Sequence, residues 1–420
     1  MDLIDIAALL LTLAALFGYV NHRLFKLPAT IGMMVITLTI SAVLLIVDYF
    51  FEGLGLGEMI RSRMGAINFE KTLLHGMLCF LLFAGALHIN LGELLARKWA
   101  IGSLATLGVA LSTLIVGGCS YIFFDLLGLS IPLMVCLVFG ALISPTDPVA
   151  VLGVLKNAHA PPTLKAKIAG ESLFNDGVGL VVFILLVSAA GLRGEQVSGV
   201  GPIALLFVQE AVGGALLGLV LGYVAYRAVK SIDQYQVELT ITLALVVGTN
   251  SLAEALHLSG PIAVVVAGLL MGNQGRDFAM SDVTVDHLEK FWSLLDDILN
   301  GILFLMLGLE LFHISFDPLH LAAGAVAIVI VLLSRFISVA IPITLLKVAR
   351  RTFSPGVVRI LTWSGLRGGI SVALVLSLPE FQGRDLLITC TYMVVLFSVI
   401  VQGLTIKNVV RKTLARGTQL

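Results

Sequence analysis

Charged residues are scarce in this sequence. Only 12% of its 420 residues are Asp, Glu, Lys or Arg, whereas 58% are hydrophobic. This composition excludes an ordinary soluble enzyme and is typical of an all-α polytopic membrane protein. The formal net charge is +0, so we expect no nucleic-acid partner.

Residues that bind metals or form disulfides are also few. The four cysteines lie inside apolar runs with no C-x-x-C spacing, which argues against disulfides and thiolate metal sites. The eight histidines are scattered and form no H-E-x-x-H motif, so we expect no metal or other cofactor and no enzyme activity. Asp2 and Asp5 stand where a signal peptide carries basic residues, and the N-terminus therefore reads as a first membrane span.

Long apolar runs dominate the chain. We predict about thirteen transmembrane segments, at residues 3–20, 29–51, 72–90, 99–124, 131–155, 168–190, 202–229, 237–256, 258–275, 291–312, 319–346, 356–379 and 385–408.

The basic residues predict the orientation. With the N-terminus outside, 19 of the 26 Lys and Arg residues fall in inside loops or the C-terminus and five in outside loops. The remaining two, Arg335 and Arg367, lie within spans 11 and 12. This asymmetry predicts an outside N-terminus and a cytoplasmic C-terminus.

An odd number of spans suggests two inverted repeats. We predict that residues 1–420 form one transport domain, in which spans 1–6 are the first repeat, span 7 is a linker and spans 8–13 are the second. Only a short basic tail follows Lys407, so we expect no soluble regulatory domain. Gly214, Gly218 and Gly222 in span 7 predict close helix packing, either within the protomer or at a dimer seam.

Span 6 carries an unusual group of polar residues. Residues 168–183 read IAGESLFNDGVGLVVF and place Glu171, Ser172, Asn175 and Asp176 in an apolar run. Charges near the bilayer centre cost about 2.5–3.5 kcal/mol each on insertion scales. Helical spacing puts Ser172 and Asp176 on one face and turns Glu171 towards different neighbours.

Span 5 contains a predicted helix break. Residues 143–151 read ISPTDPVAV, and Pro145 and Pro148 each remove a backbone donor and disfavour helix at the preceding residue. The break at Thr146 and Asp147 is tolerated at membrane depth only where it lines a protein cavity. Residues 365–369 of span 12, GLRGG, suggest a matching break. Two crossing broken helices are typical of secondary transporters.

These side chains predict an ion site. Asp176 can bind a cation when ionised and a proton when neutral, while Thr146 and Ser172 can supply neutral oxygen ligands to Na⁺ or instead bond to their own helices. Asn175 orients the site or packs beside it. We expect Asp147 to neutralise the positive end of a half-helix, with direct binding of the ion as the alternative.

Glu171 requires a buried cation. Arg335 and Arg367 both qualify, and the residues alone do not choose between them. Asp296, Asp297 and Glu310 lie near the ends of span 10 or in a water-filled funnel.

Together these motifs resemble the bacterial NhaP-type sodium/proton antiporters of the first monovalent cation:proton antiporter family. The resemblance covers nearly the whole chain and rests on TDP at 146–148, GESLFND at 170–176, Arg335 and GLRG at 365–368. It implies a thirteen-helix homodimer with an elevator-like core of spans 4–6 and 11–13. It further implies that Asp176 carries the ion or proton, that Glu171 pairs with Arg335, and that Arg367 supports the helix crossing. The chain departs from many relatives at Ala84, where those relatives carry an acid.

The expected activity is electroneutral exchange of Na⁺, or of Li⁺ or K⁺, for H⁺ by competition at Asp176. It would serve pH and sodium homeostasis in the inner cell membrane. Electroneutrality is expected because Asn175 and Ala84 leave one exchangeable carboxylate. The alternatives are a K⁺/H⁺ antiporter of the same fold, a cation channel, and an intramembrane aspartyl protease using Asp147 and Asp176.

Overall fold

The computed structural model describes residues 3–51, 69, 72–148, 151, 162–192, 200–314, 316–350, 353 and 356–417. Within these ranges the chain forms helices and no β-strand, which confirms the predicted all-α class. Several basic residues used for the orientation lie outside the described residues: Arg61, Arg63, Lys71, Lys156, Arg193 and Arg351.

The described residues before 230 form ten α-helices: α1 (Leu3–Val20), α2 (Ala29–Phe50), α3 (Leu78–Leu87), α4 (Leu91–Ala96), α5 (Lys98–Ser103), α6 (Val109–Leu126), α7 (Leu133–Leu142), α8 (Pro162–Ala189), α9 (Val200–Val208) and α10 (Gly214–Val229). Four π-helical turns extend or join them: Asn21–Phe25, Thr72–Met77, Leu104–Gly108 and Gln209–Gly213.

Nine α-helices follow in the described part of the second half: α11 (Tyr235–Ala255), α12 (Gly260–Leu270), α13 (Arg276–Ala279), α14 (Asp282–Leu309), α15 (Pro318–Val348), α16 (Val357–Trp363), α17 (Gly369–Leu376), α18 (Arg384–Phe397) and α19 (Gly403–Gly417). They are accompanied by π-helical turns at Met271–Gly275 and Ser398–Gln402 and a 3-10 turn at Glu310–His313.

Eight helices in the described residues are long and apolar enough to cross a membrane. The polypeptide passes without a break from α5 to α6, from α9 to α10 and from α18 to α19 through the π-helical turns, so each pair makes one long helix. The chain is therefore a multi-pass membrane protein, while the count of thirteen spans stays a prediction.

Local sequence fixes several helix starts. Ser259 caps α12 by accepting a hydrogen bond from the Ile262 N–H, and Asp317 caps α15 by accepting one from the Leu319 N–H. Both helices also carry proline in the first turn, where its missing N–H costs nothing. Such caps hold the helix ends at defined positions along the chain.

The apolar core has separate parts. One cluster joins α6, α7, α8, α15, α17 and α18, with buried residues such as Phe139, Phe183, Val331 and Leu374. A second cluster joins α3, α10, α11, α12 and α14 around Trp292. The helices of the first cluster correspond to predicted spans 4–6 and 11–13.

The glycine stripe of α10 packs against α12 within the same chain. A Cβ on Gly218 would lie 2.0 Å from the carbonyl oxygen of Ala263, and one on Gly214 would lie 2.7 Å from that of Ser259. Because α12 already covers these positions, the stripe is an internal packing seam, and a dimer seam at these glycines is excluded.

Gly218→Ala should destabilise the protein because its methyl group would overlap backbone that cannot move without separating α10 from α12. The matched control is Gly118→Ala in α6, where a Cβ would meet nothing within 4 Å and alanine gains helix propensity of about 1 kcal/mol. Melting temperatures in detergent should fall for Gly218→Ala and stay equal or rise for Gly118→Ala. Equal melting temperatures for the two variants would contradict the close packing.

Candidate ion-binding site

Two helices break at the predicted places, and their extended segments cross. The first helix, α7, ends at Leu142 before the segment that contains Pro145 and Pro148, while α16 ends at Trp363 and α17 begins at Gly369. At the crossing, the Asp147 N–H donates to the Leu366 carbonyl oxygen at 2.8 Å in an isolated antiparallel bridge. A backbone N–H freed by the first break is thereby paired with a backbone carbonyl freed by the second.

Arg367 satisfies carbonyl groups that the first break leaves free. Its side chain is buried, and its Nη1 donates to the carbonyl oxygens of Ser144 and Pro145, the latter at 2.9 Å. These oxygens follow the negative end of α7. The Arg367 N–H also donates to Ser398 Oγ at 2.8 Å, which ties the crossing to the π-helical turn after α18.

Asp147 lies against the start of α17. A Cβ on Gly368 would stand 2.4 Å from Asp147 Oδ2, so this approach is possible only because residue 368 has no side chain. Gly368 is the residue immediately before α17. The carboxyl group therefore lies at the positive end of a half-helix, the position expected for helix-end neutralisation.

Asn175 holds the broken segment of span 5. Its Nδ2 donates to Thr146 Oγ1 at 2.8 Å, and its Oδ1 accepts from the Thr146 N–H at 3.3 Å. Ser172 Oγ lies 3.1 Å from the same threonine oxygen. The structure therefore brings Thr146, Ser172 and Asn175 together, with Asn175 as the residue that positions Thr146.

Asp176 lies at the wall of a cavity of about 630 Å³. The residue is 7% exposed, and its Oδ1 has no hydrogen-bond partner among the described residues. Thr146 and Asp147 line the same cavity. The carboxyl group that the sequence singled out is thus buried, next to the crossing, and has an oxygen free to bind a ligand.

The part of the cavity lining that α14 supplies is polar and acidic. Ser293, Asp296, Asp297 and Asn300 line it from a single face of α14, at the helical spacing i, i+3, i+4 and i+7. Asp296 and Asp297 therefore lie in the funnel that was one of the two expected places. Glu310 is buried and is not among the residues that line the cavity. The lining also includes the polar residues His88, Asn90, Glu93 and Lys165, which lie near the end of α3 and the starts of α4 and α8.

Ala84 lines the same cavity, together with Gly85 and His88. It is 1% exposed. An acid at this position would enter the cavity that Asp176 lines. The wall formed by α3 is therefore uncharged at the level of Ala84, whereas α14 contributes Asp296 and Asp297 to the lining.

Glu171 pairs with Arg335 on the side of α8 away from the cavity. Arg335 Nη1 and Glu171 Oε1 are 2.5 Å apart, and both residues are buried. Arg335 Nη2 also donates to the Leu361 carbonyl oxygen of α16 at 3.1 Å. A Cβ on Gly365 would lie 2.3 Å from Arg335 Nε, so a glycine is needed beside the guanidinium. The pair joins α8, α15 and α16, which leaves Arg367 for the crossing.

The model of a sodium/hydrogen exchanger transmembrane domain matches residues 10–412. The chain belongs to the sodium/hydrogen exchanger family. The exchanger is 48% identical over 419 residues to the Na⁺/H⁺ antiporter NhaP of Pseudomonas aeruginosa, covering 98% of this chain and 97% of that relative. It is 38% identical over 347 residues to the Na⁺/H⁺ antiporter NhaH of Halobacillus aidingensis, covering 82% and 83% of the two chains.

The solved structure of the sodium proton antiporter MjNhaP1 from Methanocaldococcus jannaschii at pH 8 has the same fold. It matches this exchanger with a TM-score of 0.70 and 22% sequence identity over 98% of each chain. Family membership assigns the protein to transporters rather than enzymes, as predicted.

Sequence reasoning missed two features of the exchanger's cavity. The first is the part of the polar stripe on α14 that Ser293 and Asn300 form beside Asp296 and Asp297, which the i, i+3, i+4, i+7 spacing would have revealed within an apolar segment. The second is Ser371, which lines the cavity from the first turn of α17. A single serine in an apolar helix gives no sequence signal of its own.

Losing either member of the Glu171–Arg335 pair should cost about 3–5 kcal/mol because the remaining charge stays buried without its partner. Glu171→Ala and Arg335→Ala should both lower the melting temperature, and the double variant should lose less than the sum of the two single losses. Thermal unfolding of the purified variants measures this coupling.

The control cycle uses Arg276 and Glu289, an exposed pair also 2.5 Å apart. Exposed pairs are worth about 0–1 kcal/mol, so this cycle should show little coupling. Additive losses for Glu171→Ala and Arg335→Ala would contradict a stabilising contact between them.

Proposed function

We propose that this protein exchanges Na⁺ for H⁺ across the membrane, with both ligands competing for Asp176. The observation that carries the proposal is the Asp176 carboxyl group: it is buried at the cavity wall, its Oδ1 has no partner among the described residues, and the helix crossing lies beside it. A buried carboxylate without a countercharge is expensive, so it favours binding either a proton or a cation. The printed names of the NhaP and NhaH relatives support Na⁺ as the cation.

The neighbouring oxygens suit a hard monovalent cation. Asp176 supplies one negative charge, while Thr146 and Ser172 supply neutral hydroxyl oxygens. Asn175 holds Thr146 in place through two hydrogen bonds without adding charge. Arg367 and Asp147 act on the helix ends at the crossing. In this proposal the protein works without a resident cofactor, and Na⁺ is its substrate.

The grouping of helices into two of these clusters supports an alternating-access mechanism. Asp176 lies on α8, one of the helices joined by the first cluster, and the crossing lies between α7 and α17 of the same group, while the helices around Trp292 form the opposing body. The contact between them includes apolar side chains such as Leu82, Leu173 and Leu269, which can slide without breaking ion pairs. We propose an elevator-type movement of the first body against the second.

We propose that the protein lies in the inner membrane, with its N-terminus outside and its C-terminus in the cytoplasm. Lys165 and Glu93 then mark the cytoplasmic side, so the cavity opens inward and the acidic face of α14 attracts cations to it. The single transport domain has two inverted repeats that each contribute one broken helix. We further propose that the protein is a homodimer and serves pH and sodium homeostasis.

Asp176→Asn should abolish exchange because asparagine cannot release a proton or supply the cation's countercharge. Proteoliposomes with a preset pH gradient, given Na⁺, Li⁺ or K⁺, should show saturable proton movement with the wild type and none with the variant. The control is Asp286→Asn, which removes an exposed acid of α14 that pairs with Lys290. This variant should exchange at the wild-type rate.

Size-exclusion profiles and melting temperatures establish that Asp176→Asn is folded. Cation-driven proton movement by the folded variant would remove Asp176 from the mechanism. A response of the wild type to K⁺ alone would make the protein a K⁺/H⁺ antiporter, and unsaturable current without coupled proton flux would make it a channel.

Exchange should be electroneutral, with one cation for one proton, because the site has one exchangeable carboxyl group. Its protonated and cation-loaded forms then carry the same charge, so the membrane potential does no work on the cycle. A cycle that moves one net charge would gain about 2.3 kcal/mol per 100 mV. Proteoliposomes with equal pH and equal Na⁺ on both sides and a valinomycin-set potential should show no net flux. Potential-driven flux that Asp176→Asn removes would contradict the one-for-one stoichiometry.

A further inference from the structure

Two buried oxygen atoms on the cavity wall, Asp176 Oδ1 and Ser371 Oγ, have no hydrogen-bond partner among the described residues. Several other buried side-chain oxygens among the described residues also lack one, but only Asp176 and Ser371 belong to residues that line the large cavity. The residues that carry the others are Ser41, Ser112, Ser120, Glu238, Thr249, Thr362, Thr389 and Thr391.

Ser371 comes from the second broken helix, whereas Asp176 lies on the continuous helix α8. It lies in the first turn of α17 and is 1% exposed. The three residues before it, Gly368, Gly369 and Ile370, line the cavity as well. A buried hydroxyl group without a partner costs free energy, and a native structure that keeps one calls for an explanation.

We propose that the Ser371 hydroxyl is a ligand of the cation that binds at Asp176. This inference rests on the proposed function and adds a cation-binding residue to it. The Thr146 and Ser172 hydroxyls lie 3.1 Å apart, and Thr146 Oγ1 also accepts from Asn175. The Ser371 hydroxyl makes no hydrogen bond to the described residues. Its oxygen is therefore available to a hard cation, which prefers oxygen ligands.

A hydroxyl ligand suits one-for-one exchange. It adds a coordinating oxygen and no charge, so the cation-loaded site keeps the same net charge as the protonated one. When Asp176 is protonated, the Ser371 oxygen can instead accept a hydrogen bond. The bound cation is then held by the continuous helix α8 through Asp176 and by the second broken helix through Ser371.

The crossing keeps Ser371 with Asp176 throughout the transport cycle. The bond from Asp147 N–H to the Leu366 oxygen is 2.8 Å, and that from Arg367 Nη1 to the Pro145 oxygen is 2.9 Å. Both join the segment before α17 to the segment after α7, within the body that also holds α8. A movement of this body therefore carries the proposed ligand set as one unit.

The test compares Ser371→Ala with Ser120→Ala. Ser120 in α6 is also a fully buried serine with an unpartnered hydroxyl, but it lies off the cavity. In proteoliposomes, Ser371→Ala should raise the apparent KM for Na⁺ by about tenfold or more, the factor for losing a hydrogen bond to a charged group. Ser120→Ala should keep the wild-type KM.

Thermal unfolding in detergent distinguishes a cation ligand from a purely structural residue, because only the loss of a ligand reduces the effect of Na⁺ on the melting temperature. Without Na⁺, Ser371→Ala should melt at the wild-type temperature or above, because it removes an unsatisfied oxygen. Added Na⁺ should raise the melting temperature of the wild type and of Ser120→Ala by ligand linkage and should raise that of Ser371→Ala much less. Ser371→Cys keeps the size of the side chain but replaces its hard oxygen, and it should show the same loss of the Na⁺-dependent rise in melting temperature. This variant provides the test if Ser371→Ala does not fold.

A wild-type protein without Na⁺-coupled proton flux would refute the proposed function itself. If the wild type exchanges Na⁺ and Ser371→Ala keeps its KM and its Na⁺-dependent melting shift, only the assignment of Ser371 is overturned. A lower melting temperature of Ser371→Ala in the absence of Na⁺, with an unchanged Na⁺ shift, would likewise make the hydroxyl structural and overturn the assignment.

Discussion

The structure depends on how backbone groups freed at membrane depth find partners. Hydrocarbon offers no hydrogen bonds, so a helix can break there only if protein groups take over. Here each break supplies part of what the other needs. Leu366 accepts from the Asp147 N–H, Arg367 donates to the carbonyls after α7, and Asn175 holds Thr146 from α8. The glycines at 365 and 368 leave room for Arg335 and Asp147. The crossing is therefore a single cooperative unit rather than two independent defects.

The charges around this unit explain why one carboxyl group remains for transport. Arg335, Arg367, Glu171 and Asp176 are buried near it, and Asp147 is half-buried beside them. Glu171 is neutralised by Arg335, while Arg367 and the positive end of α17 face the ends of the broken helices. One negative charge is left over, and it resides on the residue that has an unpartnered oxygen. A proton or a monovalent cation restores neutrality, which is the physical basis for competition between them.

The sequence contains enough local information to predict both helix breaks and the different orientations of Glu171 and Asp176. Proline spacing and helical periodicity act over a few residues, so they can be read directly. The choice of Arg335 over Arg367 as the partner of Glu171 depends on a contact 164 residues apart, and only the resemblance to a family suggested it. The same limit applies to Gly218, whose role as an internal seam depends on the position of Ala263, and to Ser371, whose significance depends on the cavity wall. The spacing of the acids on α14 could be recognised in the sequence, but tertiary packing decides that their side chains face the cavity.

Asn175 connects the architecture of the crossing with the charge of the site. Its amide both donates to Thr146 Oγ1 and accepts from the Thr146 N–H. An ionised aspartate can only accept hydrogen bonds, so it would lose the first of these contacts while adding a second negative charge beside Asp176. An amide at this position holds the broken segment and keeps the count of exchangeable carboxyl groups at one. The residue that positions the ion site therefore also limits how much charge the site can carry, and a change in stoichiometry would require a rebuilt contact at Thr146.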